Sequence, residues 1–278
     1  MLWVPQKGVL RCDHNTGTVG ATTVGTAVTT GASASTKGTP AQLIASTAFD
    51  AYWIRVCASA YASSGAASDG SLDIMVGAAT EEIIIPDLLM GYCGDPVTSI
   101  GGMAKTWDFP LYIPAGTRIS AQAAGVRTAT AMRVAIFLYG GDGYPPFRVG
   151  SKVVTYGMGT VPNATAVTPG ASGAEGSWTQ ITASTSESHF AIVPSLQQNN
   201  NTNMVARALA MDIGVGAATE EEILQSSWWG IGSTETVAGP MNGMPCFQDI
   251  PAATRLTARM SCSGTTSGTY EVALHAVS

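Results

Sequence analysis

Charge is what this sequence has least of. Only 12% of its 278 residues are charged, about half the usual share. The 13 Lys and Arg are scattered and the net charge is −6, so no basic surface is available to nucleic acid. No apolar run reaches the length of a membrane span, and "MLWVPQKGVLRCDHN" at the start contains no run of signal-peptide length. Synthesis in a cytoplasm without cleavage, and no membrane insertion, is the expectation. Histidine is scarce too: His14, His189 and His275 each stand without a neighbouring partner His. HExxH, G-x-S-x-G, a phosphate loop and zinc-spaced Cys/His sets are all missing. "GVGAAT" at Gly214 begins like a dinucleotide fingerprint but lacks the third Gly and a following helical pattern. The five Cys (Cys12, Cys57, Cys93, Cys246, Cys262) are odd in number and include no C-x-x-C. They read as buried free thiols, with a single bridge as the alternative. These absences argue against an enzyme and against any cofactor or metal.

What is present is small, apolar and repeated. Apolar residues make up 45%, with 32 Gly and 14 Pro. That mixture favours many short strands joined by turns. "DIMVGAATEEII" at Asp73 returns as "DIGVGAATEEEI" at Asp212. "IPAGTRISA" at Ile113 returns as "IPAATRLTA" at Ile250, "QLIAST" at Gln42 as "QITAST" at Gln180, and "GASAS" at Gly31 as "GASGA" at Gly170. "MRVAIFLYG" at Met132 pairs with "TYEVALHAV" at Thr269. Collinear matches at a nearly constant spacing mean tandem duplication. Copy one is placed at 20–140 and copy two at 160–278. A linker, 141–159, lies between them, with a short strand at Lys152–Tyr156. An N-terminal arm, 1–19, has no counterpart except the linker.

Within a copy the apolar residues alternate, as in Tyr52/Ile54/Val56, Leu72/Ile74/Val76 and Val134/Ile136/Leu138. Period two marks strands with one buried face. "TEEIIIPDLLMGY" comes closest to a helical pattern, but Pro86 interrupts it. The expectation is all-β: two tandem antiparallel β-sandwiches, jelly-roll-like, with about eight strands each.

Matching charges accompany the repeat. Glu81 or Glu82 is placed to pair with Arg118, and Glu220 or Glu221 with Arg255. A structural salt bridge in each copy is one reading; a ligand site shared by both copies is the other. Acid/base work by adjacent Glu is disfavoured, because neighbours on a strand point to opposite faces. Copy two alone carries Trp228 and Trp229 and a polar loop with Asn199, Asn200 and Asn201. Rings that stack on sugar faces beside amides that bond hydroxyls would suit a host-surface glycan. Alternatively one Trp fills the core and the other caps a sheet edge. The arm carries Trp3, Val4, Val9 and Leu10. It either docks on a neighbouring subunit or packs on its own domain.

The stretch "DIMVGAATEEIIIPDLL" followed by "FPLYIPAGTRISAQA" resembles uncharacterised structural proteins of tailed bacteriophages, in which a YIPAGTRIAAR-like segment recurs. The resemblance covers about a quarter of each copy. In copy two, "PCFQDIPAATRLTAR" lacks the Tyr and the Gly but carries Arg259 where copy one has Gln122. The resemblance implies a place in the virion, partners among other virion proteins, and no catalytic residues. The reading is a non-enzymatic oligomeric virion protein, tail-tip or fibre-associated with a role in host contact. The alternatives are a head decoration protein and, from another class, a carbohydrate-binding module or lectin.

Overall fold

The computed structural model describes the chain except for residues 1–10, 17–24, 59–60, 63–69, 79, 91, 94–104, 127, 142–144, 146, 171, 200–206, 217–219, 232–241 and 265–268, and the strand side chains of 61–62, 92–93, 198–199, 207, 225–231 and 242. The fold is all-β and is built as two antiparallel sandwiches in tandem. Copy one has a front sheet of β1 (Arg11–His14), β2 (Thr26–Thr29), β4 (Ala51–Ala58), β9 (Lys105–Phe109) and β11 (Ala131–Gly140). Its back sheet holds β3 (Ala41–Ile44), β6 (Gly70–Val76), β7 (Glu82–Leu89) and β10 (Ile119–Gly125). A two-residue parallel pair, β5 (Tyr61–Ala62) and β8 (Tyr92–Cys93), lies apart.

Copy two repeats the plan. Its front sheet holds β12 (Val153–Tyr156), β13 (Thr165–Val167), β15 (His189–Asn199), β19 (Cys246–Ile250) and β21 (Thr269–Val277). Its back sheet holds β14 (Thr179–Thr182), β16 (Arg207–Val215), β17 (Glu221–Ile231) and β20 (Leu256–Cys262). The front orders are β1-β11-β4-β9 and β12-β21-β15-β19; the back orders are β3-β10-β6-β7 and β14-β20-β16-β17. Besides the β5–β8 pair of copy one, a further short strand breaks the symmetry among the described residues: β18 (Asn242–Gly243) pairs in parallel with β9, joining copy two to the front sheet of copy one.

The strands sit where the sequence chemistry puts them. Val28, Ile54, Leu72, Ile74, Phe109 and Ile136 fill one core. Val167, Ile192, Met211, Ile213, Leu256 and Leu274 fill the other. Pro86 does not break β7, because β7 is the edge of its sheet, the place where a missing N–H is tolerated. Facing corrects one sequence match. Met132 opposes Val28, and Tyr270 opposes the equivalent Val167. Met132 therefore stands over Tyr270, not Thr269; a one-residue slip would turn each apolar side chain to the wrong face.

The short strand expected in the linker at Lys152–Tyr156 is present as β12, whereas the stretch expected to be an arm supplies an unexpected strand, β1. β1, within 1–19, pairs with β11, and β12, within 141–159, pairs with β21. Arm residues Trp3, Val4, Val9 and Leu10 lie outside the described residues. Cysteine burial also differs from expectation: of the free thiols Cys12, Cys57, Cys246 and Cys262, only Cys262 is buried and Cys12 is exposed. Among the described residues no helix is long and apolar enough to cross a membrane.

Candidate functional site: repeated clamps, polar clusters and the joint

Three of the repeated motifs meet at one point in each copy. Arg118, at the entry to β10, donates to the Gly77 carbonyl at 3.2 Å and to Gln42 Oε1 at 3.2 Å, and pairs with Glu81. Arg255 donates to the Gly216 carbonyl at 3.1 Å, to Gln180 Oε1 at 3.2 Å and to Glu220 at 2.6 Å. The first Glu of each pair thus joins the clamp, while Glu82 and Glu221 open their strands exposed. Ser120 Oγ also donates to Glu81 at 2.6 Å. The Ser120 bond and then Arg118 hold the Glu81 carboxyl below its ordinary range. Arg255 does the same for Glu220.

A second lock shapes the IPA turn. Thr47 Oγ1 donates to the Pro114 carbonyl at 2.6 Å and accepts from Thr117 N–H at 3.0 Å. Thr185 repeats this with Pro251 and Thr254 at 2.9 and 3.0 Å. Gln42 and Thr47 are the two ends of "QLIAST", which explains why that motif recurs. The turn needs a left-handed residue. Gly116 supplies it at φ 80°, whereas copy two forces Ala253 to 63°, a conformation that costs an L-residue about 1–2 kcal/mol.

Beside the clamp the copies diverge. Asp73, 2% exposed, accepts from Lys37 Nζ at 2.8 Å and from Gln122 at 2.8 Å; Lys37 also reaches Asp87 at 2.6 Å. The matching Asp212 is 3% exposed and pairs with Arg259, which stands opposite it in β20 just as Gln122 stands opposite Asp73 in β10. Gly38 and Gly176 donate to Ala123 and Met260, which hold matching places in those strands. The residue before each glycine is Lys37 in one copy and Glu175 in the other. The cation has changed strands: Lys37 and Gln122 in copy one correspond to Glu175 and Arg259 in copy two. Arg259 also bonds Glu175 at 2.5 Å and Glu222, and lies 4.5 Å over the Trp178 ring. Carboxylate oxygens of Glu175, Asp212 and Glu222 come within 4.8 Å of one another. Lost solvation and then a hydrogen bond to Asp212 raise the Glu175 carboxyl above its ordinary range. Arg259 already supplies the countercharge at this cluster, and no metal is assigned to it.

The third feature is the joint. Val153, Ala191, Val193 and Val277, on the outer face of the front sheet of copy two, belong to the core cluster of copy one. Ser195 Oγ accepts from the Leu89 N–H at 3.0 Å, and buried Lys105 donates to the Leu89 and Leu196 carbonyls at 2.9 Å each. Thr155 Oγ1 donates to the Pro86 carbonyl at 2.7 Å and lies 2.8 Å from His275 Nδ1. Because the hydroxyl proton goes to Pro86, the ring must donate through Nδ1. That leaves Nε2 buried and without a hydrogen-bond partner. Burial drives the His275 pKa down to about 3. Tyr112 N–H donates to Gly150 O, and Gly150 N–H to Pro110 O, both at 2.8 Å. The open side of copy one, between β7 and β9, is thus covered by copy two.

Pro194 explains the stray strand β18. It occupies the β15 position that Val56 holds in β4. A Cβ on Gly243 would fall 3.0 Å from the Pro194 carbonyl. N–H and C=O of one strand residue share an edge, so the donor missing from Pro194 is missing on that side. β19 pairs with β15 only as far as Ile192, and the chain before it crosses to β9.

Trp228 and Trp229 sit on the edge strand β17, at register positions opposite Ala210 and Leu209. Asn199 ends β15. Asn200 and Asn201 lie outside the described residues, as do the side chains of Asn199, Trp228 and Trp229. Sequence reasoning missed Gln42, Thr47, Lys37, Asp73 and their counterparts. For Gln42, Thr47 and Asp73 the available signal was their presence inside the repeated stretches; Lys37 lies between two of them and gave none.

No family model matches the chain, and no curated protein does. Solved structures similar to it include PNGF-II, with TM-score 0.37, 7% identity, 98% of this chain and 66% of that one, so this chain spans about two thirds of its length. PNGase F, a glycosylasparaginase from Flavobacterium meningosepticum, has TM-score 0.29 and 10% identity over 98% of this chain and 96% of that chain. Infectious bursal disease virus, Gt strain, has TM-score 0.23 and 12% identity over 98% and 72%. At these values none of them assigns a ligand or an activity to this chain.

Proposed function

We propose that the chain is a non-enzymatic structural subunit of a tailed-phage virion, as the YIPAGTRI-like motif implies. The observation that carries this reading is the use made of the repeated motifs. In both copies their polar side chains are engaged with one another and with turn carbonyls, so the duplicated chemistry builds a scaffold. Within the particle, a head decoration role suits the chain better than the tail-tip role. The exposed apolar residues Met244 and Phe247 lie beside a sheet edge, where assembly contacts form. A host-surface glycan bound at Trp228 and Trp229 is the second reading, favoured only by their place on an edge strand.

Fractionating lysates into heads and headless tails, with the chain tagged, tests the reading. The tag is expected with heads. Recovery only with tails restores the tail-tip role, and absence from every particle overturns the virion reading.

A further inference from the structure

The joint inside the chain has two halves, and each half has an unused twin. The donor half is the open side of copy one, formed by β7, β9 and the stretch Pro110–Ile113. The acceptor half is the outer face of the front sheet of copy two. Strand pairing identifies the twins residue by residue. Phe109 and Cys246 oppose equivalent residues of β4 and β15, and so do Ile113 and Ile250. It follows that Trp107 corresponds to Met244, Pro110 to Phe247 and Tyr112 to Asp249. Trp107 is 2% exposed and Pro110 is buried under the linker, yet Met244 is 54% and Phe247 51% exposed. On the other edge, Leu89 opposes Ser71 just as Trp228 opposes Ala210. Leu89 is fully buried, with its N–H bonded to Ser195. Trp228 therefore holds the joint position of copy two.

The acceptor twin lies at the other end of the molecule. Ala191, Val193, His275 and Val277, all fully buried in the joint, correspond by register to Trp53, Arg55, Phe137 and Tyr139. Those four are only partly buried. Arg55 is already neutralised by Asp108, through bonds of 2.9 and 3.0 Å. What remains is a face of aromatic rings around a paired guanidinium. Aromatic residues, Met and Arg are the side chains that protein interfaces favour.

We propose that the open side of copy two, with Met244, Phe247 and the Trp228 position, docks on the Trp53–Arg55–Phe137–Tyr139 face of a second copy of this chain. The contact repeats between molecules the joint that each molecule makes internally. It deepens the structural-subunit reading and rests on it. Because the two surfaces differ and lie on different copies, the contact is heterologous and runs head to tail. It therefore builds rings or open arrays rather than a closed pair.

Heterologous docking makes a prediction that other modes do not. Phe247→Asp removes one surface and Tyr139→Asp the other; both side chains have solvent access, and unchanged thermal melts would establish that each variant is folded. By sedimentation velocity, the wild-type chain should form concentration-dependent oligomers larger than dimers. Each variant alone should stay monomeric. An equimolar mixture should give heterodimers and stop there, since each variant keeps the half that the other lacks. A wild-type chain that stays monomeric, a single variant that dimerises by itself, or a mixture that stays monomeric overturns the proposal. A wild-type chain that stays monomeric yet incorporates into particles would leave the virion reading standing; one that oligomerises but is absent from particles would refute only that reading.

Discussion

Asp73 and Asp212 occupy the same place in two copies of one sandwich, and both are buried, yet their charges are answered from different strands. Copy one uses Lys37 on the chain before β3, with Gln122 as a neutral neighbour. Copy two uses Arg259 on β20 and carries Glu175 where Lys37 would be. A carboxylate out of water must have a countercharge or it destabilises the fold. The comparison teaches that the need for a cation is a property of the site, whereas the residue that meets it is not. The Arg118 and Arg255 clamps make the opposite point. Their partners are the same in both copies because one guanidinium must reach a turn carbonyl, a Gln and a Glu at once, and only Arg has that fork.

The comparison breaks most visibly at Lys37. Lys37→Glu leaves Asp73 and Asp87 without their cation and adds a third carboxylate. The cost should be about 3–5 kcal/mol, toward the low end because Lys37 is 24% exposed. Adding Gln122→Arg to that variant recreates the wiring of copy two and should recover most of the loss in urea denaturation. Additive effects of the two changes would mean that the sites are not interchangeable.

The next effect depends on pH. His275 holds the position that Phe137 holds in copy one, and its pKa falls from 6.5 to about 3 on burial. The native state keeps the neutral ring, so the unfolded chain binds more protons below pH 6.5. Stability from this group is complete above that value and falls as the pH drops toward 3, by up to about 1.4 kcal/mol per pH unit. His275→Phe should leave a shallower acid limb, set by carboxylates such as Glu81 and Glu187, whose pKa values are lowered. An unchanged limb in denaturation from pH 7 to 4 would clear His275 of this role.

Arg118→Ala should cost about 1–2 kcal/mol through the hydrogen bonds it leaves unmade. Arg255→Ala should shift the melting temperature in the same direction, and a neutral effect at only one of the two would break the equivalence of the clamps. The smallest effect is in the turns. Gly116→Ala meets nothing within 4 Å, so its cost, about 1 kcal/mol, comes from backbone conformation alone. Ala253→Gly relieves the same strain but loosens the unfolded chain, for a net gain of about half that or less. Differential scanning calorimetry of the two variants should show shifts of opposite sign.

Much of the fold was legible because duplication and period-two alternation are local signals. Glu81–Arg118 and Glu220–Arg255 could be paired on paper because both partners lie in repeated motifs. Which Glu of each pair would serve was open until the strand following the turn was placed. The match of Met132 to Thr269 was off by one because small and apolar residues alternate ambiguously there; only burial separates Tyr270 from its neighbour. The exchange of Lys37 for Arg259 was hidden because it depends on which strands lie side by side. The joint was hidden for the same reason. A front sheet whose outer face carries Ala191, Val193 and Val277 looks in sequence like any strand that is buried on both faces.

The claim that copy two keeps open the side that copy one has closed can be tested most directly by amide hydrogen exchange. Tyr112 N–H, bonded to Gly150, should be protected at every protein concentration. Asp249 N–H, its counterpart on β19, should exchange freely in dilute protein and gain protection as the chain assembles. Equal protection of Asp249 in dilute and assembled protein would contradict the account.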